Sequence, residues 1–139
     1  MASRPIRGYP AELRHLGDHV LKRRLDLGRN RKETAAELGI DAVSLKNWEE
    51  GRTKIEVRFF PRIIRWLGYD PLPTPSSDGQ QVEHARIRRG WSRKRLALEA
   101  GVDEATIARI EADIPRLAQH SIRAVCRYLG IDVGNPRSS

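Results

Sequence analysis

The chain has 139 residues, 39% of them hydrophobic, which is enough for one ordinary domain or two very small ones with modest cores. Its 26 Lys+Arg against 18 Asp+Glu leave a net charge of +8, so a polyanion is the expected partner, with nucleic acid ranked above a membrane surface. A single cysteine excludes an intramolecular disulfide, and no apolar run nears the roughly 18 to 20 residues of a membrane span.

The N-terminus "MASRPIRGYPAELRH" lacks the apolar stretch of a secretory signal, and the chain reads as cytoplasmic. Residues 1–9 form a basic, Pro-broken arm in which Arg4 and Arg7 suit either a minor groove or a flexible tail. Leu13, Leu16, Val20, Leu21 and Leu25 then recur at helical spacing, and Gly28 closes the run as a left-handed cap. Asn30 with Glu33 has capping-box spacing and opens a short helix through Leu38. Asp41 caps the next helix, which ends near Gly51. Pro61 predicts a turn over 56–60 followed by a helix over 61–67. The stretch "DPLPTPSSDGQ", 70–80, has the composition of a semi-extended linker.

Beyond the linker the pattern returns at one constant offset: Arg24 falls on Arg86, Gly28 on Gly90, Ala35 on Ala97, Gly39 on Gly101, Glu49 on Glu111 and Gly68 on Gly130. An ungapped register of this length predicts a tandem duplication. The expected organisation is a first domain over 10–70, a linker over 71–79, a second domain over 80–133 and flexible tails at 1–9 and 134–139. Ser92, Asp103 and Ser121 are the expected caps of the second copy. Cys126, among the apolar residues of "IRAVCRYLG", is expected to be a buried structural thiol.

Each copy carries Ala-x3-Gly-x5-Leu/Ile: Ala35, Gly39 and Leu45, then Ala97, Gly101 and Ile107. The small residue lets two helices approach, the glycine takes the turn between them, and the aliphatic side chain locks the second helix to the core. That is a helix-turn-helix, and the generic alternative is a plain helical hairpin.

The stretches "LKRRLDLGRNRKETAAELGIDAVSLKNWEEGRTK" with "WLGYDPL", and "ARIRRGWSRKRLALEAGVDEATIARIEAD" with "YLGIDV", resemble the Cro/C1-type (XRE-like) helix-turn-helix transcriptional regulators. The resemblance covers nearly all of both repeats. It implies an all-α fold of two tandem lambda repressor-like domains joined by a Pro/Ser-rich linker, double-stranded DNA as partner, no cofactor, a possible homodimer, and a cytoplasmic, nucleoid-associated protein. It also implies that Arg24 pairs with a buried Glu49, and Arg86 with Glu111.

In such a domain the second helix of the motif enters the major groove, and the first rests on phosphate. Base-facing positions of the first copy are then Ala42, Val43, Ser44, Lys46 and Asn47, with Asn47 suited to adenine and Val43 to a thymine methyl. Phosphate contacts are expected from Arg31, Lys32, Arg52 and Lys54. The family usually has Gln where this chain has Arg31 and Arg93, so the hydrogen bonds normally made by that Gln must change. In the second copy Arg93, Lys94, Thr106 and Arg109 are the candidates, beside Glu104, Ala105 and Ala108. With Glu104 facing phosphates, this copy is the weaker reader, and it either reads DNA or serves dimerisation or a protein partner. The different-class reading is a protein-interaction module, an antitoxin or anti-activator.

Enzyme readings are poor. His15 and His19 stand a turn apart without a third metal ligand, no nucleophile motif or phosphate-cradling loop is present, and Trp48 and Trp66 fall at expected core positions.

Overall fold

The computed structural model describes residue 10 and residues 12–132, so the N-terminal arm with Arg4 and Arg7 and the C-terminal tail lie outside the described residues. Among the described residues are eight α-helices and no strand. The chain divides into two compact units, Met1–Leu72 and Pro73–Ser139.

In the first unit, α1 (Leu16–Asp26) starts at His15, where the Asp18 carboxylate accepts the backbone N–H groups of Arg14 and His15 at 2.8 and 3.3 Å. Leu13 precedes the helix and is exposed, so the apolar run is one residue shorter than its spacing suggests. Gly28, at φ +67°, takes the left-handed turn expected of it. Helix α2 (Arg31–Leu38) opens on a reciprocal cap: Glu33 N–H donates to Asn30 Oδ1 at 2.8 Å and Asn30 N–H to Glu33 Oε1 at 3.0 Å. Gly39, at φ +72°, turns the chain toward α3 (Ala42–Glu49), where Asp41 accepts the Ser44 N–H at 2.7 Å. A 3-10 turn at Val57–Phe59 leads into α4 (Phe60–Leu67), with Pro61 in the first turn where its missing N–H costs nothing.

These helices close over Val20, Ala35, Leu38, Leu45, Trp48, Ile63 and Leu67. Trp66 packs only partly buried against that cluster, at the edge rather than the centre expected of it.

The second unit has α5 (Asp78–Arg88), α6 (Arg93–Ala100), α7 (Glu104–Glu111) and α8 (Gln119–Leu129). Helix α5 is capped by the Ser77 hydroxyl and begins at Asp78, inside the stretch read as linker. Ser92 caps α6 as expected, while Asp103 occupies the cap position of α7 without a side-chain bond. Ser121 is not a cap. The extended Ala118 already accepts the backbone N–H groups of Ser121 and Ile122, which starts α8 nearly a turn earlier than the Ser pattern suggests.

The core of this unit joins Val82, Leu96, Ala97, Ile107, Ile110, Val125, Cys126 and Leu129. Cys126 is fully buried and desolvation pushes its thiol up to about 11, so it is a packing residue.

Two glycines set how closely the first helix of each unit approaches the third. A Cβ on Gly17 would run into the Trp48 carbonyl oxygen, and one on Gly79 into that of Ile110. The two glycines fall on each other in the register that places Arg24 on Arg86.

Candidate nucleic-acid interface

The register of α3 is held from below by charge. Glu49, with a side chain 1% exposed, accepts from Arg24 Nε at 2.6 Å through Oε2 and from Arg24 Nη2 at 2.9 Å through Oε1. The remaining Arg24 nitrogen, Nη1, donates to the Arg29 carbonyl at 3.0 Å, which leaves no terminal arm of this guanidinium unpaired. In the second unit Arg86 reaches Glu111 at 2.6 and 3.0 Å and the Trp91 carbonyl at 2.9 Å. Both Arg–Glu pairs implied by the family resemblance are therefore formed. Buried ion pairs of this kind repay their desolvation mainly by fixing geometry.

A third partner is present that the sequence reading missed. Arg31 Nε donates to Glu49 Oε1 at 2.9 Å, and Arg93 Nε to Glu111 Oε1 at 2.8 Å. Each carboxylate thus holds two arginines, and the hydrogen bond that Arg93 donates to Glu111 raises the affinity of Arg93 for its proton. These arginines stand where the family usually has Gln, at the first residue of α2 and of α6. Their Nε edges are spent on the glutamate, and only their terminal nitrogens remain for an outside anion. Arg93 has a further carboxylate near it, Glu83 at 3.9 Å; the matching position in the first unit is Leu21.

On α3, Ala42, Val43 and Lys46 are exposed, Val43 at 69%, and Asn47 is half-buried. Ser44 is less available than its position suggests: its hydroxyl donates to Asp41 Oδ2 at 2.9 Å, and these bonds hold the Asp41 carboxyl below its usual range. Ser44 and Asn47 line one groove with Thr53 and Lys54 of the following turn and with Trp48 and Phe59. Lys32 and Arg52 are exposed, Arg52 paired with Glu50 at 3.1 Å. The structure thus brings Asn47 and Lys54 together and places Arg31 at a separate groove beside Arg24 and Glu49.

On α7, Thr106 is half-buried and Arg109 exposed, with Lys94 exposed on α6. The basic end of this unit is less free than its composition suggests. Arg95 donates to Glu99 at 2.9 Å and lies 4.7 Å from the Trp91 ring, while Arg89 donates to the Ala85 and Leu129 carbonyls. The i,i+4 spacing of Arg95 and Glu99 was the available signal for the first of these.

His15 lies outside the helix at the cap, His19 Nδ1 is 2.7 Å from the Tyr69 hydroxyl, and no group of three metal-ligating side chains occurs among the described residues. No helix among them is long and apolar enough to cross a membrane.

Comparison with known proteins adds one match: residues 82–134 fit the sequence model of the helix-turn-helix family. No curated protein and no solved structure matches the chain. A domain of this family implies a DNA partner, and the family is typically not enzymatic. With α5 to α8 folded around the matched segment, the chain carries one Cro/C1-type helix-turn-helix domain, at residues 82–134.

Proposed function

We propose that the chain is a sequence-specific, double-stranded DNA-binding transcriptional regulator built from two tandem helix-turn-helix units. The observation that carries this reading is the repeated arginine–glutamate–arginine triad. Arg24, Glu49 and Arg31 of the first unit make the same bonds as Arg86, Glu111 and Arg93 of the matched domain, at 2.6, 2.9 and 2.9 Å against 2.6, 3.0 and 2.8 Å. A triad of this kind locks the end of a recognition helix to the helix before it, so both units present a helix of equal length in equal register. Phosphate contacts from Lys32, Arg52 and Lys54, with Arg31, Arg93 and Lys94 at the helix starts, supply attraction; Ala42, Val43, Lys46, Asn47, Thr106 and Arg109 face the bases. The protein acts at the nucleoid in the cytoplasm, as one chain on two half-sites or as a homodimer.

The test is equilibrium binding to duplex DNA of random and of selected sequence between about 50 and 300 mM salt. A steep fall in affinity with salt together with discrimination between sequences supports the regulator. Salt-insensitive binding to protein with no preference among duplexes assigns the chain to the antitoxin or anti-activator class instead.

A further inference from the structure

We infer that the two units read unlike half-sites, the first centred on adenine and the second on guanine, so that the chain binds an asymmetric operator in one orientation. The inference rests on the DNA-reading function proposed above and concerns which residues set its specificity.

The triads supply the common frame. Glu49 and Glu111 close helices of eight residues each, and each glutamate is tied to an arginine 25 residues upstream. Any residue counted back from the glutamate therefore occupies the same place in the two units. Two residues before it stand Asn47 and Arg109. Asparagine carries one acceptor and two donors on a short side chain, a pattern that pairs with N6 and N7 of adenine. Arginine offers a fork of donors only, which matches O6 and N7 of guanine.

The neighbouring positions reinforce the difference. Val43, 69% exposed, offers an apolar surface to a thymine methyl, whereas its counterpart is Ala105. Ala42 is matched by Glu104, a carboxylate that accepts only, as the amino group of cytosine requires. Lys46 is matched by Ala108, which leaves Arg109 as the cation of its helix. Neither the Asn47 nor the Arg109 side chain takes part in the triads or the caps, and only their backbone carbonyls accept in the turns that follow, so exchanging the side chains leaves the frame intact.

The experiment is selection of bound duplexes from a random library by the full chain at about 150 mM salt, repeated with Asn47→Arg, with Arg109→Asn and with both. The native chain should enrich a motif of two unlike halves. Asn47→Arg should convert the adenine half to guanine and leave the other half unchanged, with a preference of roughly ten- to a hundredfold at that base; Arg109→Asn should do the converse. Thermal unfolding of each variant verifies that the frame survives, and at these positions the midpoint should not move. A palindrome or repeat of one half-site, or a motif unmoved by either exchange in a folded variant, overturns the inference while leaving the regulator reading in place. Failure of the native chain to enrich any motif removes both.

Discussion

Thr34 is fully buried and its hydroxyl has no hydrogen-bond partner, a cost usually of about 1 to 3 kcal/mol. The second unit has Leu96 at the same place, also fully buried, and balances the added volume with Ala100 where the first has Leu38. Thr34→Val keeps the shape and removes the stranded hydroxyl, so the first unit should gain about 1 kcal/mol, read as a higher denaturant midpoint. His19 gives a second prediction, in pH. Burial lowers its pKa below the ordinary 6.5, against the opposing pull of Asp18, so the folded state favours the neutral ring bonded to Tyr69. The unfolded chain then takes up the proton first: this contribution to stability is full above about pH 6.5 and is lost as pH falls from there through the lowered folded value. Gln81 occupies the matching position, and His19→Gln should flatten that segment of the melting-temperature profile between about pH 5 and 8. The Arg24–Glu49 and Arg86–Glu111 pairs were legible only through the family resemblance, which the shared register of the two copies supported. The part played by Arg31 and Arg93 was not, because a surface arginine at a helix start reads as a phosphate ligand until the fold shows a buried carboxylate within reach.

The helices themselves were largely legible, because glycines at Gly28, Gly39, Gly101 and Gly130 and the caps at Asn30, Asp41 and Ser92 mark boundaries by local chemistry. Where the mark is tertiary, the sequence is silent. Asp113 stands at φ +55°, where the first unit has Gly51 at φ +71°; a non-glycine residue is held there by what its side chain does. Its carboxylate accepts the Gly79 N–H at 3.0 Å and the Ser77 hydroxyl at 2.6 Å, tying the turn after α7 to the start of α5. Asp113→Ala keeps the unfavourable backbone and loses both bonds, so the second unit should lose about 1 to 3 kcal/mol. Asp113→Gly relieves the backbone and should lose less. Equal losses in the two variants, measured by denaturant unfolding, would show that the bonds alone hold the turn. Gly79 has to be glycine for the same junction to close, since a Cβ there would meet Asp113 as well as the Ile110 carbonyl.

For the molecule as a whole, the family match falls on the second unit, while the base and phosphate contacts proposed above lie mostly in the first. The packing positions Leu96, Ala97, Gly101, Val102 and Ile107 of the second unit fall on Thr34, Ala35, Gly39, Ile40 and Leu45 of the first, which differ in kind only at Thr34. Affinity for DNA depends instead on exposed charge around the same frame. In the first unit two arginines share one carboxylate; in the second, Glu83 stands 3.9 Å from Arg93 as a further carboxylate, at the position of Leu21 in the first. Arg31 therefore has no counterpart of the Glu83 carboxylate competing with an approaching phosphate. If Arg31 takes one phosphate, Arg31→Gln should lower the slope of log affinity against log salt by about 0.9 and weaken binding several-fold, while Arg93→Gln changes both less. Glu83→Leu, which copies Leu21 of the first unit, should uncover Arg93 and raise both affinity and slope. Because Arg31 and Arg93 brace their glutamates equally, loss of folding would affect the two glutamine variants alike. A difference between them in salt slope, with similar melting temperatures, isolates the electrostatic part. Slopes unchanged from that of the native chain in both variants would mean that neither arginine touches phosphate and that Lys32, Arg52 and Lys54 carry the attraction.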